Sequence, residues 1–279
     1  MNAPVQTLAL VQDTFRESFA RKIFWGFLAC STALILLFIV ALNIDLVEGA
    51  MAGVTLFGRE MNRGRLVNVD LFVRQTLGGV AAFLFTFGLF LSVLASAGLV
   101  PTVFEPGRIE LLLSKPAGRS RILLGRYLGT LAVIAFNMLY LVLGVWLALG
   151  VKTGIWHPSF LVSALLAIFA FAVMLTVVLL VAVVSSSAVL ATMITYFFVI
   201  VSPLLAQHER LRPMFRRPWA RTLVEWLYYL CPKIFDLGNM SRLALEEKAF
   251  QSWMPIWSSA VFAAVMLSSA LWFFSRKDY

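Results

Sequence analysis

The chain has 279 residues, of which 61% are hydrophobic and only 13% are charged, and its mean hydropathy is +0.90. A soluble domain carries about a quarter charged residues, and one globule of this length cannot hide so much apolar surface. These values exclude a soluble enzyme. They predict an all-α polytopic membrane helical bundle, a single domain over residues 1–279 with about six spans of about 20 residues each.

The net charge of +9 does not indicate nucleic-acid binding. The basic residues form clusters beside hydrophobic stretches, where anionic lipid head groups attract them, and neither zinc-finger spacing nor an RNP-like strand accompanies them. The two cysteines, Cys30 and Cys231, form no CxxC or metal pattern. We therefore expect membrane lipid as a partner, no nucleic acid and no metal.

The N-terminal residues predict a helix that lies along the membrane surface. Leu8, Val11, Phe15 and Phe19 recur at helical spacing, opposite the charged residues of this region. Those charges also argue against a cleavable signal peptide, which needs an uninterrupted apolar run. A disordered tail is the alternative.

Charge-poor stretches predict the transmembrane spans. The predicted spans cover about residues 23–44, 76–100, 122–149, 160–184, 188–206 and 254–274. Between Lys152 and Glu209 there is no acidic or basic residue except histidine, and this stretch is too long for one crossing. It must fold back, and Ser185–Ser187 is the predicted turn.

The loop between the second and third spans predicts the orientation. Its basic residues are Arg108, Lys115, Arg119, Arg121 and Arg126. The positive-inside rule places this loop in the cytoplasm, and an even number of spans places both termini there, in a multi-pass protein of the cell (inner) membrane. The arginine-rich loop 207–253 must then lie outside, which long loops tolerate. Within it, Leu223–Leu237 predicts an interfacial or partly re-entrant helix.

The cytoplasmic loop itself contains a predicted amphipathic helix. Pro106 suits its first turn, and Ile109, Leu112 and Leu113 form an apolar face. Because this helix is joined directly to two spans, a partner that holds it would move both spans together. A plain interfacial helix held by lipid head groups is the alternative.

The same loop carries an ordered set of residue types: an acidic residue, a glycine, a leucine-rich run and a Pro-x-x-Arg element. The positions are Glu105, Gly107, Ile109, Glu110, Leu112, Leu113, Pro116 and Arg119. The set resembles the signature of ABC-2-type ABC transporter permeases. The C-terminal Phe273–Tyr279 and the Leu230–Lys233 element with Asp236 are also similar to that family. The nearest resemblance is to permeases related to the copper-maturation system of nitrous oxide reductase.

The resemblance implies a six-span permease, an exporter, whose cytoplasmic coupling helix docks on an ABC ATP-binding subunit. The implied ATPase-coupling residues are Glu105, Gly107, Arg108, Ile109, Glu110, Leu112, Leu113, Lys115, Pro116 and Arg119. It also implies a second permease copy, in a homodimer, or a sister permease. The chain lacks the G-x-x-x-x-G-K-[ST] phosphate loop. ATP and Mg²⁺ are therefore expected in the partner subunit, with no cofactor and no enzyme activity in this chain.

Other functions stay open at this stage. A membrane scaffold without transport is one alternative. An ion-coupled carrier needs ionisable groups at bilayer depth, and the predicted spans offer Asn137 and hydroxyl groups instead. An intramembrane metalloenzyme is disfavoured, because His208-Glu209 begins like H-E-x-x-H but Arg212 replaces the second histidine.

The substrate is predicted only as a class. An apolar interior favours an amphiphile or an apolar molecule over a small hydrophilic ion. In the outer loop, Arg212, Arg216 and Arg217 are predicted to contact an anionic head group or product.

Overall fold

A computed structural model describes residues 3–20, 22–47, 50–56, 59–60, 68–100, 118–211, 218–250 and 252–277. The helices are α1 (Ala3–Ala20), α2 (Lys22–Ala41), α3 (Val69–Leu99), α4 (Arg119–Thr153), α5 (Ser159–Ser185), α6 (Ala188–Ala206), α7 (His208–Leu211), α8 (Pro218–Leu230), α9 (Ile234–Leu245) and α10 (Met254–Arg276). This architecture confirms the predicted all-α polytopic bundle.

A small antiparallel sheet lies between α2 and α3. Its strands are β1 (Leu42–Val47), β2 (Ala50–Leu56) and β3 (Arg59–Glu60), in the order β1-β2-β3. The register shifts between Asp45 and Leu46, as at a β-bulge. This sheet was not predicted from the sequence, and the last residues of the first predicted span, 23–44, belong to β1.

Five helices, α3, α4, α5, α6 and α10, are each long and apolar enough to cross a membrane. A sixth crossing is counted when α1 and α2 are taken as one broken span, bent by 75° between them. Each predicted span overlaps one of these helices, and only the first, 23–44, extends past its helix into a strand. The second predicted span, 76–100, differs most from its helix at its start, since α3 begins at Val69. Asn68 caps this helix, because its side chain accepts a hydrogen bond from the Asp70 N–H at 2.9 Å.

The centre of the bundle is α5, which is apolar on all sides and packs against α3, α4, α6, α9 and α10. It ends at Ser185, and the next residue, Ser186, has a φ of 54° that turns the chain towards α6. Ser187 then caps α6 by accepting a hydrogen bond from the Leu190 N–H at 3.4 Å. The predicted serine turn is therefore confirmed.

Within the loop 207–253, the sequence predicted one helix over Leu223–Leu237, but this stretch covers parts of two helices, α8 and α9. The break falls at Cys231–Lys233, where Pro232 cannot donate a backbone hydrogen bond. Helix α8 is amphipathic and has no buried residue, as expected of an interfacial helix. Helix α9 packs against α3, α5 and α6 and so enters the bundle.

The helices alternate in direction, which gives the bundle two ends. We call one of them the segment end, because it holds the start of α4, which directly follows residues 101–117 in the sequence. The α5–α6 turn and the end of α10 also lie at this end. The far end holds the start of α3, the α4–α5 loop and the end of α9.

Candidate functional site

The predicted ATPase-coupling residues fall into two groups in the structure. Glu105, Gly107, Arg108, Ile109, Glu110, Leu112, Leu113, Lys115 and Pro116 lie outside the described residues, as do Arg212, Arg216 and Arg217 of the loop 207–253. Arg119 is described, and it is the first residue of α4. The described part of the predicted site is therefore the junction where the coupling segment enters the bundle.

Arg119 ties the start of α4 to the end of α10. Its Nη1 donates hydrogen bonds to the carbonyl oxygens of Lys277, at 2.8 Å, and Ser275, at 3.4 Å. The last carbonyls of a helix have no partner within the helix and carry partial negative charge. A guanidinium group is therefore a favourable cap for α10.

Lys277 extends the same connection to the α5–α6 turn. Its Nζ donates to the Val183 carbonyl at 2.8 Å and to the Ser186 hydroxyl at 3.0 Å. Three helix ends are thus joined by two cations. We call Arg119, Lys277, Val183, Ser186 and Ser275 the helix-end junction.

Two turns further along α4, Arg126 anchors the N-terminal helix. Its side chain is 3% exposed and donates to Glu17 Oε2 at 2.5 Å, with Asp13 Oδ2 at 3.9 Å. A buried charge requires such a partner. Arg126 lies within the third predicted span, 122–149, and α1 neutralises its charge through Glu17.

Helices α1 and α4 approach closely just beyond this pair. A Cβ added at Gly129 would lie 2.6 Å from the Cβ of Thr14, so only glycine fits there. The predicted surface helix α1 is thus also packed on α4. A polar pairing 109 residues apart in sequence leaves no local signal that could have revealed it.

A second ionic cluster lies at the far end. Arg74 pairs with Asp70 at 2.8 Å and with Glu247 at 3.1 Å. Buried His157 places Nε2 3.0 Å from Asp70 Oδ1, although without hydrogen-bond geometry. The cluster fastens the start of α3 and the α4–α5 loop to the end of α9. Only the i, i+4 spacing of Asp70 and Arg74 was visible in the sequence.

The break between α8 and α9 holds a buried lysine. Lys233 is 2% exposed, and its Nζ donates to the Tyr228 carbonyl at 2.8 Å and to Ser258 Oγ at 3.1 Å. The ammonium also lies 4.1 Å from the centre of the Tyr228 ring, while the Tyr228 hydroxyl donates to Asp236 at 3.0 Å. Burial lowers the pKa of Lys233 and raises that of Asp236. These contacts fix the element around Pro232 against α10.

Within the described ranges, no group of three or more His, Cys, Asp or Glu side chains could hold a metal ion. The polar side chains that are present instead join helix ends to one another.

Comparison with known proteins identifies the family. The model of the ABC-2 family transporter protein family matches residues 8–279. No curated protein matches the chain. The match covers almost the whole sequence, including every helix that is long enough to cross a membrane. The chain therefore belongs to the ABC-2 transporter family, and is a multi-pass membrane permease of the ABC transporter type.

Proposed function

We propose that this chain is the permease subunit of an ATP-driven exporter, and that residues 105–119 dock on a separate ATP-binding subunit. The helix-end junction carries this proposal. Because Arg119 holds the end of α10 and Lys277 holds the α5–α6 turn, displacing the docked segment would pull on α4, α10 and α5 together. A docking site for a force-generating subunit requires such a connection.

The orientation follows from the two ends of the bundle. The end of α10 lies at the segment end, and α1 packs on the first part of α4. If the segment faces the cytoplasm, as its basic residues indicate, both termini lie there too. The ionic cluster of Arg74 and Glu247 then faces the other side.

ATP and Mg²⁺ are proposed to bind to the partner, since the chain has no phosphate loop. A second permease copy, or a sister permease, completes the transporter. The export direction, the inner-membrane location and the nearness to the copper-maturation permeases of nitrous oxide reductase rest on the resemblance of the sequence motifs alone.

The test is co-purification of the tagged chain from its native host. We expect a protein with a P-loop to be recovered in near-equal amount with the wild-type chain. Scrambling residues 105–116, with Arg119 kept, should abolish its recovery. Scrambling residues 212–217 is the control, because that loop is proposed to lie on the opposite side of the membrane.

Mass spectrometry of the eluates, together with the ATPase activity of the complex, measures the outcome. Retention of the ATPase after scrambling 105–116 would refute the docking assignment. Purification of an intact chain without any ATPase would favour the scaffold function instead.

A further inference from the structure

A cavity of about 450 Å³ lies between α3, α6 and α9, within the size range of small-molecule sites. Its walls are mostly apolar and include Ala82, Phe85, Val199, Ile200 and Ile234. It exists because α3 presents small residues there and because α9 enters the bundle from the far end.

The backbone of α3 is irregular at this cavity. Leu84–Gly88 forms a π-helical turn, and Phe85 and Thr86 of that turn line the wall. Such turns are frequent at functional sites. At Phe90, another wall residue, the ring stacks on Tyr196 with 4.2 Å between ring centres. The stack joins α3 to α6.

A second cavity, also about 450 Å³, adjoins the first and has a different character. The two cavities share Phe235 and Asn239, and the second is bordered by Gln207, Glu209 and Arg210. These polar residues lie where the chain leaves α6. An apolar space therefore continues into a polar one at the end of a membrane span, which is the arrangement of tail and head in an amphiphile.

The charge of this region favours an anion. Residues 207–221 contain five arginines and one acidic residue, Glu209. Arg210 makes no ion pair with another described residue, whereas Arg242, at the wall of the first cavity, lies 3.6 Å from Glu246. Guanidinium groups pair well with phosphate and carboxylate groups.

A buried hydroxyl group without a hydrogen-bond partner also indicates that the cavity holds a ligand. Ser241 lines the first cavity and is 1% exposed, and its Oγ has no hydrogen-bond partner among the described residues. Buried polar groups are normally satisfied. An oxygen of the ligand, where its apolar chain joins the head group, would supply the missing partner if it reaches this side chain.

We propose that these two cavities bind one amphiphile, with its apolar chain between α3, α6 and α9 and its anionic head group beside Arg210. The proposal goes beyond the permease assignment and does not depend on it, because binding is measured on this chain without an ATPase.

The full chain would be reconstituted in phosphatidylcholine vesicles that contain a small fraction of phosphatidylglycerol with a diazirine on its acyl chain. After illumination, mass spectrometry locates the label. We expect it on α3 and α9, and a phosphatidylcholine probe with the same chain should label these helices several-fold less.

Gly78→Leu tests the tail site. Gly78 lines the cavity and a Cβ there meets no atom within 4 Å, so we expect the leucine side chain to extend into the cavity. Labelling should fall about tenfold, equivalent to about 1.4 kcal/mol. Gly79→Leu is the matched control, because a Cβ there is also unobstructed but Gly79 borders a different cavity beside α2 and α4. Equal labelling of wild type and Gly78→Leu would overturn the proposal.

Arg210→Gln tests the head-group site. Labelling by the phosphatidylglycerol probe should fall about fivefold, and labelling by the phosphatidylcholine probe should not change. Lys248→Gln removes a charge from an exposed side chain near the far-end ionic cluster and serves as the control. Equal losses in the two variants, or equal labelling of wild type by the two probes, would overturn the anionic assignment.

Discussion

At the scale of single residues, two cationic side chains, Arg119 and Lys277, connect the helix ends. Lys277 offers one ammonium group to two acceptors at the α5–α6 turn, while its own carbonyl accepts from Arg119. Lys277→Met keeps the length of the side chain but leaves the Val183 carbonyl and the Ser186 hydroxyl without this donor.

We expect Lys277→Met to lower the free energy of unfolding by about 1.5–3 kcal/mol, the usual value of hydrogen bonds to a charged group. Thermal unfolding in detergent measures this loss. Lys277→Arg should retain most of the stability. Arg276→Met is the control at the neighbouring position, since Arg276 contacts the exposed Trp272 ring. Equal stability of Lys277→Met and wild type would show that the junction contributes nothing.

At the scale of elements, the contact between α1 and α4 depends on one glycine. Gly129→Ala would gain helix propensity, worth about 1 kcal/mol, but its methyl group would collide with Thr14 at 2.6 Å. The collision involves a Cβ close to the backbone, so α1 must move away.

We expect Gly129→Ala to expose α1, and the rate of tryptic cleavage after Arg16 should rise several-fold. Thr14→Gly combined with Gly129→Ala removes the collision and should restore slower cleavage. Gly26→Ala is the control, because a Cβ at Gly26 meets nothing within 4 Å. Unchanged cleavage in Gly129→Ala would contradict the packing of α1 on α4.

At the scale of the whole molecule, the hydropathy of the sequence predicted where the membrane spans lie. It did not predict which helices and side chains contact one another. The serine turn at Ser185–Ser187 and the ends of α5 and α6 were predicted closely, because apolar length and local turn chemistry determine them. The pairing of Arg126 with Glu17 and the helices that α9 contacts inside the bundle were not predicted, although a partly re-entrant helix was one of the two expectations for Leu223–Leu237. They depend on residues far apart in sequence, which no local periodicity encodes.

The orientation of the bundle in the membrane is also a prediction about the whole molecule. It places the arginines of the loop 207–253 outside the cell, on the side where basic residues are less common. The positive-inside rule applies to the short basic loop that precedes α4 and only weakly to a long loop. The helix-end junction places the end of α10 with that short loop, while Glu246–Lys248 lies at the far end.

Two single-cysteine variants, made after Cys30→Ser and Cys231→Ser, would distinguish the two orientations in intact cells. Lys248→Cys should react with a membrane-impermeant maleimide, because this exposed position is proposed to lie outside. Arg276→Cys, also exposed, should react only after the membrane is permeabilised. The reverse pattern would place the arginine-rich loop in the cytoplasm. It would then move any ATPase contact to the far end and refute docking at residues 105–119.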